Sequence, residues 1–409
     1  MMVDQKMQKK VNTQFCFMQG SYVGGNAVLF GYAVVLLQSK SLTATEAGLA
    51  LALCSVASIF IQPAVAAISN RFRRIPLNHL MGYISIIVLL GSIALYFIDA
   101  PMLAVMIVFI LTASIEMSVM TFIGAFAMQF ENRGMEINYG ASRAVGSICY
   151  ALLGFAMGWL VDEFGAGAIL PVYCALVVVI ILVGFLHITP DKAMPLPRPE
   201  EWETQKAEEP KRKAIDLIRG KPFMILYFLA ILCINVNHMV LDSYQVSIVQ
   251  EQGGSTGNYG TVMLIMAFCE LPSLFLFKRL ARRFGCGKLL IAGMLAFALK
   301  DVALFLSPSV EWVYISQVFN LCTVGVYMPA MVYFTNELVD AESNVSAQTL
   351  IVGVAGGIGK VIGNFMGGAL IDIGGTRLML AGTFLIMVAG VGLMLTTMGV
   401  LRKHGIQAR

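Results

Sequence analysis

Apolar runs of about 20 residues, the length needed to cross ~30 Å of hydrocarbon, recur from Phe15 to Val400 in this 409-residue chain. No other feature narrows its folding possibilities as much. Twelve such runs lie at roughly 12–37, 46–69, 77–98, 102–129, 139–161, 166–187, 222–249, 258–280, 288–306, 311–335, 346–371 and 376–400. Charged residues make up 13% of the chain and hydrophobic ones 58%, against about 25% charged in ordinary globular proteins. The expectation is an all-α integral membrane protein.

The first run is too long for a signal peptide, keeps polar Gln19 and Asn26, and lacks a small-residue cleavage site, which predicts a cytoplasmic N-terminus. That orientation gathers Arg71, Arg73, Arg74, Arg133, the basic 192–221 stretch, Lys278, Arg279, Arg282, Arg283, Arg402 and Lys403 on one side. About 23 of the 28 basic residues then face the cytoplasm and only Lys40 and Arg377 face away, so both termini are expected inside. The net charge of +4 follows from this asymmetry, and without a basic patch interleaved with exposed aromatics no nucleic-acid partner is expected. The eight cysteines lie in or at the ends of the runs with no CxxC pair, as packing residues rather than metal ligands or disulfide partners.

The long hydrophilic stretch, rich in proline and mixed charge, predicts a flexible cytoplasmic linker over 189–221 between bundles at 1–188 and 222–409. The break after the second run, "SNRFRRIP", and that after the eighth, "KRLARRFGCGK", are both basic. The echo suggests two related, pseudo-symmetric six-helix bundles with a site at their interface.

These features resemble the major facilitator superfamily over the whole chain. Its loop motif, Gly-x-x-x-Asp followed by basic residues, stands here as "AAISNRFRR", with Asn70 in the acidic slot. Within the superfamily, "TEAGLALALCSVASIFIQPAVAAISNR" and "NYGASRAVGSICY" resemble the second and fifth helices of the oligosaccharide:proton symporters, the lactose permease group. The resemblance implies a sugar-binding arginine at Arg143 and a ring-stacking aromatic at Tyr150. It also implies a charge pair of Asp242 with Lys360, and a basic slot at Lys300. The helix 8 glutamate slot falls at Ala267, three residues before Glu270. The family's helix 10 Lys, His and Glu slots fall at Ser316, Phe319 and Cys322, and its galactoside-binding glutamate at Ala125, so galactoside specificity does not carry over.

An ionisable group at mid-membrane costs at least about 2.5–3.5 kcal/mol and is by default functional. Here these groups are Glu116, Arg143, Asp242, Glu270, Lys300, Asp301 and Lys360. Alternatively they only pin helices together. Helical spacing puts Asn235, His238, Asp242 and Gln245 on one stripe of the seventh run, Arg143, Ser147 and Tyr150 on one face of the fifth, and Gln19, Tyr22 and Asn26 on one face of the first. Asn237 and Tyr244 point away from their stripe and suit interhelical hydrogen bonds. The tenth run adds Gln317 and Asn320. A guanidinium fork, an aromatic face and neutral amides suit a hydroxylated solute, although each amide equally suits helix-to-helix bonding. Glu270, Asp242 with His238, and Glu116 are the proton-carrier candidates, in that order.

No P-loop, nucleophile elbow or HExxH occurs, so neither an enzyme nor an ATP-driven pump is expected, and no cofactor or metal. The leading expectation is a proton-coupled importer of a sugar or similar hydroxylated solute, working by alternating access as a monomer in a bacterial cytoplasmic membrane. Alternatives are a proton-coupled exporter of amphipathic compounds, a nucleoside:proton symporter, and a sensor that uses the transporter fold without flux.

Overall fold

The computed structural model describes residues 5–71, 75–98, 101–131, 133, 135, 137–190, 222–340 and 343–403. From 191 to 221 the expected linker lies outside the described residues, as do Arg73 and Arg74. The described residues form helices and short connections, with no strand among them. The helices are α1 (Gln5–Leu29), α2 (Ala33–Ser39), α3 (Ala44–Arg71), α4 (Leu77–Phe97), α5 (Met102–Glu131), α6 (Tyr139–Phe164) and α7 (Ile169–Leu186). They continue with α8 (Pro222–Glu251), α9 (Thr256–Phe284), α10 (Cys286–Phe305), α11 (Val310–Ser316), α12 (Val324–Leu338), α13 (Asn344–Gln348) and α14 (Ala355–Lys403).

Eight of the helical segments are long and apolar enough to span a membrane on their own, and ten when two bent pairs each count as one span. The bends fall between α1 and α2 (47°) and within α9 between Ser273 and Phe275 (50°). Pro272, which cannot donate to the helical ladder, accounts for the second bend. The count stays below the twelve expected from the sequence, and α10, which carries Lys288, Lys300 and Asp301, is not among the ten. The long α14 breaks at Gly374 and Gly375, the latter at φ 74°, a left-handed conformation that glycine adopts without steric cost. Past that turn the backbone N–H of Thr376 donates to Glu251 Oε2 (2.9 Å), so a carboxylate caps the positive end of the last helix.

The chain divides into two compact units, Met1–Leu42 with Leu53–Glu201, and Thr43–Ala52 with Trp202–Arg409. The first turns of α3 thus belong with the second unit, a departure from a simple division at the linker. In the first unit Phe15, Phe126 and Phe130 meet the ring of His187 at centroid distances of 5.0, 4.9 and 5.9 Å, at the centre of an apolar core that includes Met18, Val119 and Ile123. Asn78 ties α4 to the end of α7, its Nδ2 donating to the carbonyl of Gly184 at 2.8 Å.

In the second unit α8 lies along α14, where Gly359 and Gly363 allow backbone contact. A Cβ at Gly359 would sit 2.5 Å from Asn235 Cβ, and one at Gly363 2.8 Å from the Val236 carbonyl. Large apolar side chains such as Phe275, Ile373 and Leu186 stay exposed, as expected of a surface whose solvent is lipid.

Candidate solute and ion sites

Each unit encloses its own polar cluster. In the first unit, α1 approaches α6 closely because Gly20 and Gly24 face Cys149 and Leu153, where a Cβ on Gly24 would lie 2.3 Å from Leu153 Cδ1. Gln19 rests over Gly146, one turn from both Arg143 and Tyr150. Arg143 is exposed and forms no ion pair among the described residues. Ser147 is exposed too, but its hydroxyl donates back to the Arg143 carbonyl at 3.3 Å. Tyr150 is half-buried.

From the α6 contact the polar side chains of α1 reach on into the unit. Gln19 is 2% exposed and donates through Nε2 to Met120 Sδ at 3.9 Å, while the Tyr22 hydroxyl lies against the Asn26 side chain and the Met120 backbone. Glu116, one turn before Met120, is buried, and its charge acts on Tyr22 and on Tyr173 of α7. Gln19 and Asn26 thus flank Tyr22, and it is Tyr22 that comes under the charge of Glu116 inside the bundle.

In the second unit the break of the tenth span builds the site. Between α11 and α12 the chain tightens into a 3-10 turn at Gln317–Leu321, a distortion that recurs at functional points within long helices. Gln317, Asn320 and Thr323 are buried there and form one relay. Asn320 Nδ2 donates to Gln317 Oε1 (3.0 Å), and Asn320 Oδ1 accepts from Thr323 Oγ1 (3.1 Å) and from Lys300 Nζ (2.9 Å). Both amides expected to bind solute are thus engaged in holding the Lys300 ammonium. Lys300, 2% exposed, feels the charges of Glu270, Asp301 and Asp242, Glu270 most strongly.

Asp301 is fully buried and accepts from Asn237 Nδ2, with Thr383 also beside its carboxylate. His238 packs its ring against Phe297 (6.0 Å) and edge-on to Tyr327 (5.8 Å), and its charged neighbours are Asp242, Lys300 and Lys360. Glu270 is half-buried, facing Lys300 and Asp242.

Asp242, His238, Glu270, Lys300 and Asp301 thus come together. Lys360, proposed from resemblance as the partner of Asp242, is exposed and forms no ion pair with it among the described residues. Lys300 is the lysine placed amid the carboxylates. The polar stripe of α8 is not uniformly wet either. Asn235 returns its amide to the Ile231 carbonyl (2.8 Å), and Gln245 is 3% exposed.

Two groups escaped the sequence reading. Tyr327 is fully buried, its hydroxyl has no hydrogen-bond partner among the described residues, and the charges of Asp242 and Glu270 act on it. A tyrosine two residues before Pro329 was its only signal. Asp372 accepts from the backbone N–H groups of Ala44 (3.2 Å) and Thr45 (2.7 Å), capping α3 across a separation that no local pattern announces.

Comparison with known proteins agrees with this architecture. The profile of the MFS_1 like family matches residues 15–381. Maltose permease of Geobacillus stearothermophilus is 26% identical over 235 residues, a match spanning 58% of this chain and 57% of that protein. An uncharacterized transporter of Bacillus subtilis (strain 168), YwbF, is 20% identical over 86% of this chain and 84% of its own length. A mutant of the nucleoside transporter NupG superposes with a TM-score of 0.78 over 95% of this chain and 99% of its own, at 13% identity, a likeness of fold alone. With a family match over most of its length and eight to ten membrane-length helical spans among the described residues, the chain is a multi-pass membrane transporter of the MFS_1 like family, within the major facilitator superfamily.

Proposed function

We propose that the protein takes up a sugar, oligosaccharide or similar hydroxylated small solute together with protons, by alternating access. The observation that carries this reading is the ionisable cluster of the second unit, where three carboxylates, Asp242, Glu270 and Asp301, act on the buried Lys300 while the other lysine near them, Lys360, is exposed. In a low-dielectric interior an excess of acid must be relieved, and a bound proton is the means available to a half-buried carboxyl. Glu270 takes that role, because Asp301 is enclosed and hydrogen-bonded to Asn237 while Glu270 is half-exposed beside Lys300. Arg143 and Tyr150 supply the fork and the flat face for the solute. The partial likeness to maltose permease favours a saccharide.

On this reading the chain works as a monomer in a bacterial cytoplasmic membrane, with both termini in the cytoplasm. The test is accumulation of radiolabelled maltose, with uridine in parallel, by proteoliposomes under an imposed pH gradient. Uphill maltose uptake, lost in Glu270→Gln while downhill exchange persists, is the expected result. Uptake of uridine alone would replace sugar by nucleoside, movement against the proton gradient would make the protein an exporter, and no movement of either would favour a sensor.

A further inference from the structure

Two cavities adjoin between α1 and α6 in the first unit, with Thr13 and Cys16 in the walls of both. The one nearer the start of α1 measures about 360 Å³ and is lined mainly by polar side chains, Gln5, Gln8, Lys9, Asn12 and Asn138 among them. The other, about 220 Å³, is walled by Phe17, Gly20, Val145 and Cys149. A groove that is polar at one end and apolar at the other fits an occupant with the same division.

The polar end offers donors. Asn12 Oδ1 accepts from the backbone N–H of Asn138 (2.8 Å), and Asn138 Oδ1 accepts from that of Ala141 (3.0 Å). A backbone N–H only donates, so these bonds fix both amides with the oxygen engaged and the NH2 group left to give. Lys9 adds an exposed ammonium that forms no ion pair among the described residues, and Lys6 and Lys10 are exposed on the same turns. The Thr13 hydroxyl turns back to the Lys9 carbonyl (2.9 Å) and adds no acceptor demand of its own. Two amide NH2 groups and an ammonium call for an anionic oxygen ligand, of which a phosphate is the common kind.

The apolar end extends the site along the helix. From Lys9 to Gly20 α1 rises about 16 Å, close to the depth of one leaflet in a hydrocarbon core of ~30 Å. Phe17, in the wall between those two residues, is 60% exposed, as suits a side chain that borders lipid. A free phosphate would fill the polar cavity only and leave the apolar one unused.

We propose that this groove binds an anionic phospholipid, its phosphate at Lys9, Asn12 and Asn138 and one acyl chain along Phe17, Gly20 and Val145. Assigning the lipid to the cytoplasmic leaflet rests on the orientation proposed above, whereas lipid binding does not. Neither depends on which solute is carried or on proton coupling.

Thermal unfolding of the purified full-length protein in detergent tests this, against added dioleoylphosphatidylglycerol, dioleoylphosphatidylcholine or inorganic phosphate at equal ionic strength. The expected result is a melting temperature that rises saturably with phosphatidylglycerol, less with phosphatidylcholine and not with phosphate, because binding to the native state alone stabilises it. Lys9→Gln is expected to raise the half-effective phosphatidylglycerol concentration about fivefold, the share of one lysine at an anionic headgroup. Thr13→Trp puts a ring where the cavities join, at an exposed position, and is expected to remove the rise while the lipid-free melting temperature stays unchanged. Equal responses to the two lipids would overturn the proposal, and an equal response to phosphate would overturn it by reducing the groove to a free-anion site. An unchanged phosphatidylglycerol response in Lys9→Gln, or in a folded Thr13→Trp, would overturn it as well. Lys9→Gln alone decides if Thr13→Trp does not fold.

Discussion

Replacing Lys300 by Met removes the ammonium and keeps most of the side-chain volume, so it isolates the charge at the centre of the second unit. Lys300 Nζ loses its bond to Asn320 Oδ1, and Glu270, Asp301 and Asp242 lose the cation whose field they share. Removing one partner of a buried ion pair costs about 3–5 kcal/mol, because the remaining charge stays buried and uncompensated. For a unit of about 200 residues that corresponds to a fall in melting temperature of roughly 6–20 °C. The loss should shrink in acid, where the carboxyls become neutral and the missing cation matters less.

Adding Glu270→Gln to Lys300→Met should restore part of the stability, with a coupling of about 0.5–3 kcal/mol, since Glu270 is the acid on which Lys300 acts most strongly. Thermal unfolding in detergent at neutral and acidic pH, over the four members of this cycle, measures both effects. A Lys300→Met loss below about 1 kcal/mol, or a double variant no more stable than the single one, would refute the reading of a charge-balanced cluster.

Asp372→Asn keeps one acceptor at the start of α3 but removes the anion, at a cost of about 1–2 kcal/mol. Hydrogen exchange at the Thr45 amide should then quicken by roughly 5–30-fold, and an unchanged rate would deny the cap its role. Gly368→Ala places a methyl 2.2 Å from the Ala44 carbonyl oxygen, so it should destabilise by about 1–3 kcal/mol in thermal unfolding. Gly392→Ala, with nothing within 4 Å, should leave stability unchanged or slightly raised. Arg143→Lys should abolish solute binding without loss of expression, because a point charge does not reproduce the bidentate fork, and normal uptake would remove Arg143 from the site.

Membrane-length helices were legible because hydrocarbon demands long apolar runs, and the ionisable residues stood out against them for the same reason. Helical spacing also placed Asn237 and Tyr244 on the interhelical side of their stripe. Asn237 binds Asp301, and Tyr244 Oη donates to the Asn364 carbonyl at 2.7 Å. The identity of partners was not legible, because it depends on which helices touch and how closely. Lys300 lies amid the acids and is held by Asn320 from the 3-10 turn at Gln317–Leu321, and a run of apolar residues hides such a turn. Gly20 and Gly24 fix how closely α1 lies on α6, and Tyr22 comes under the charge of Glu116, matters of backbone approach rather than periodicity. Asp372 sits near the end of its span and reads as an ordinary interfacial acid until α3 is placed above it.

Direct counting of protons tests the central claim, that the acid excess around Lys300 carries a coupling proton. Proteoliposomes lightly buffered and held without a gradient are pulsed with maltose, and external pH is followed with an impermeant dye. The account predicts a solute-driven alkalinisation outside that an uncoupler collapses and that Glu270→Gln lacks. Maltose entry with no accompanying proton movement would contradict it.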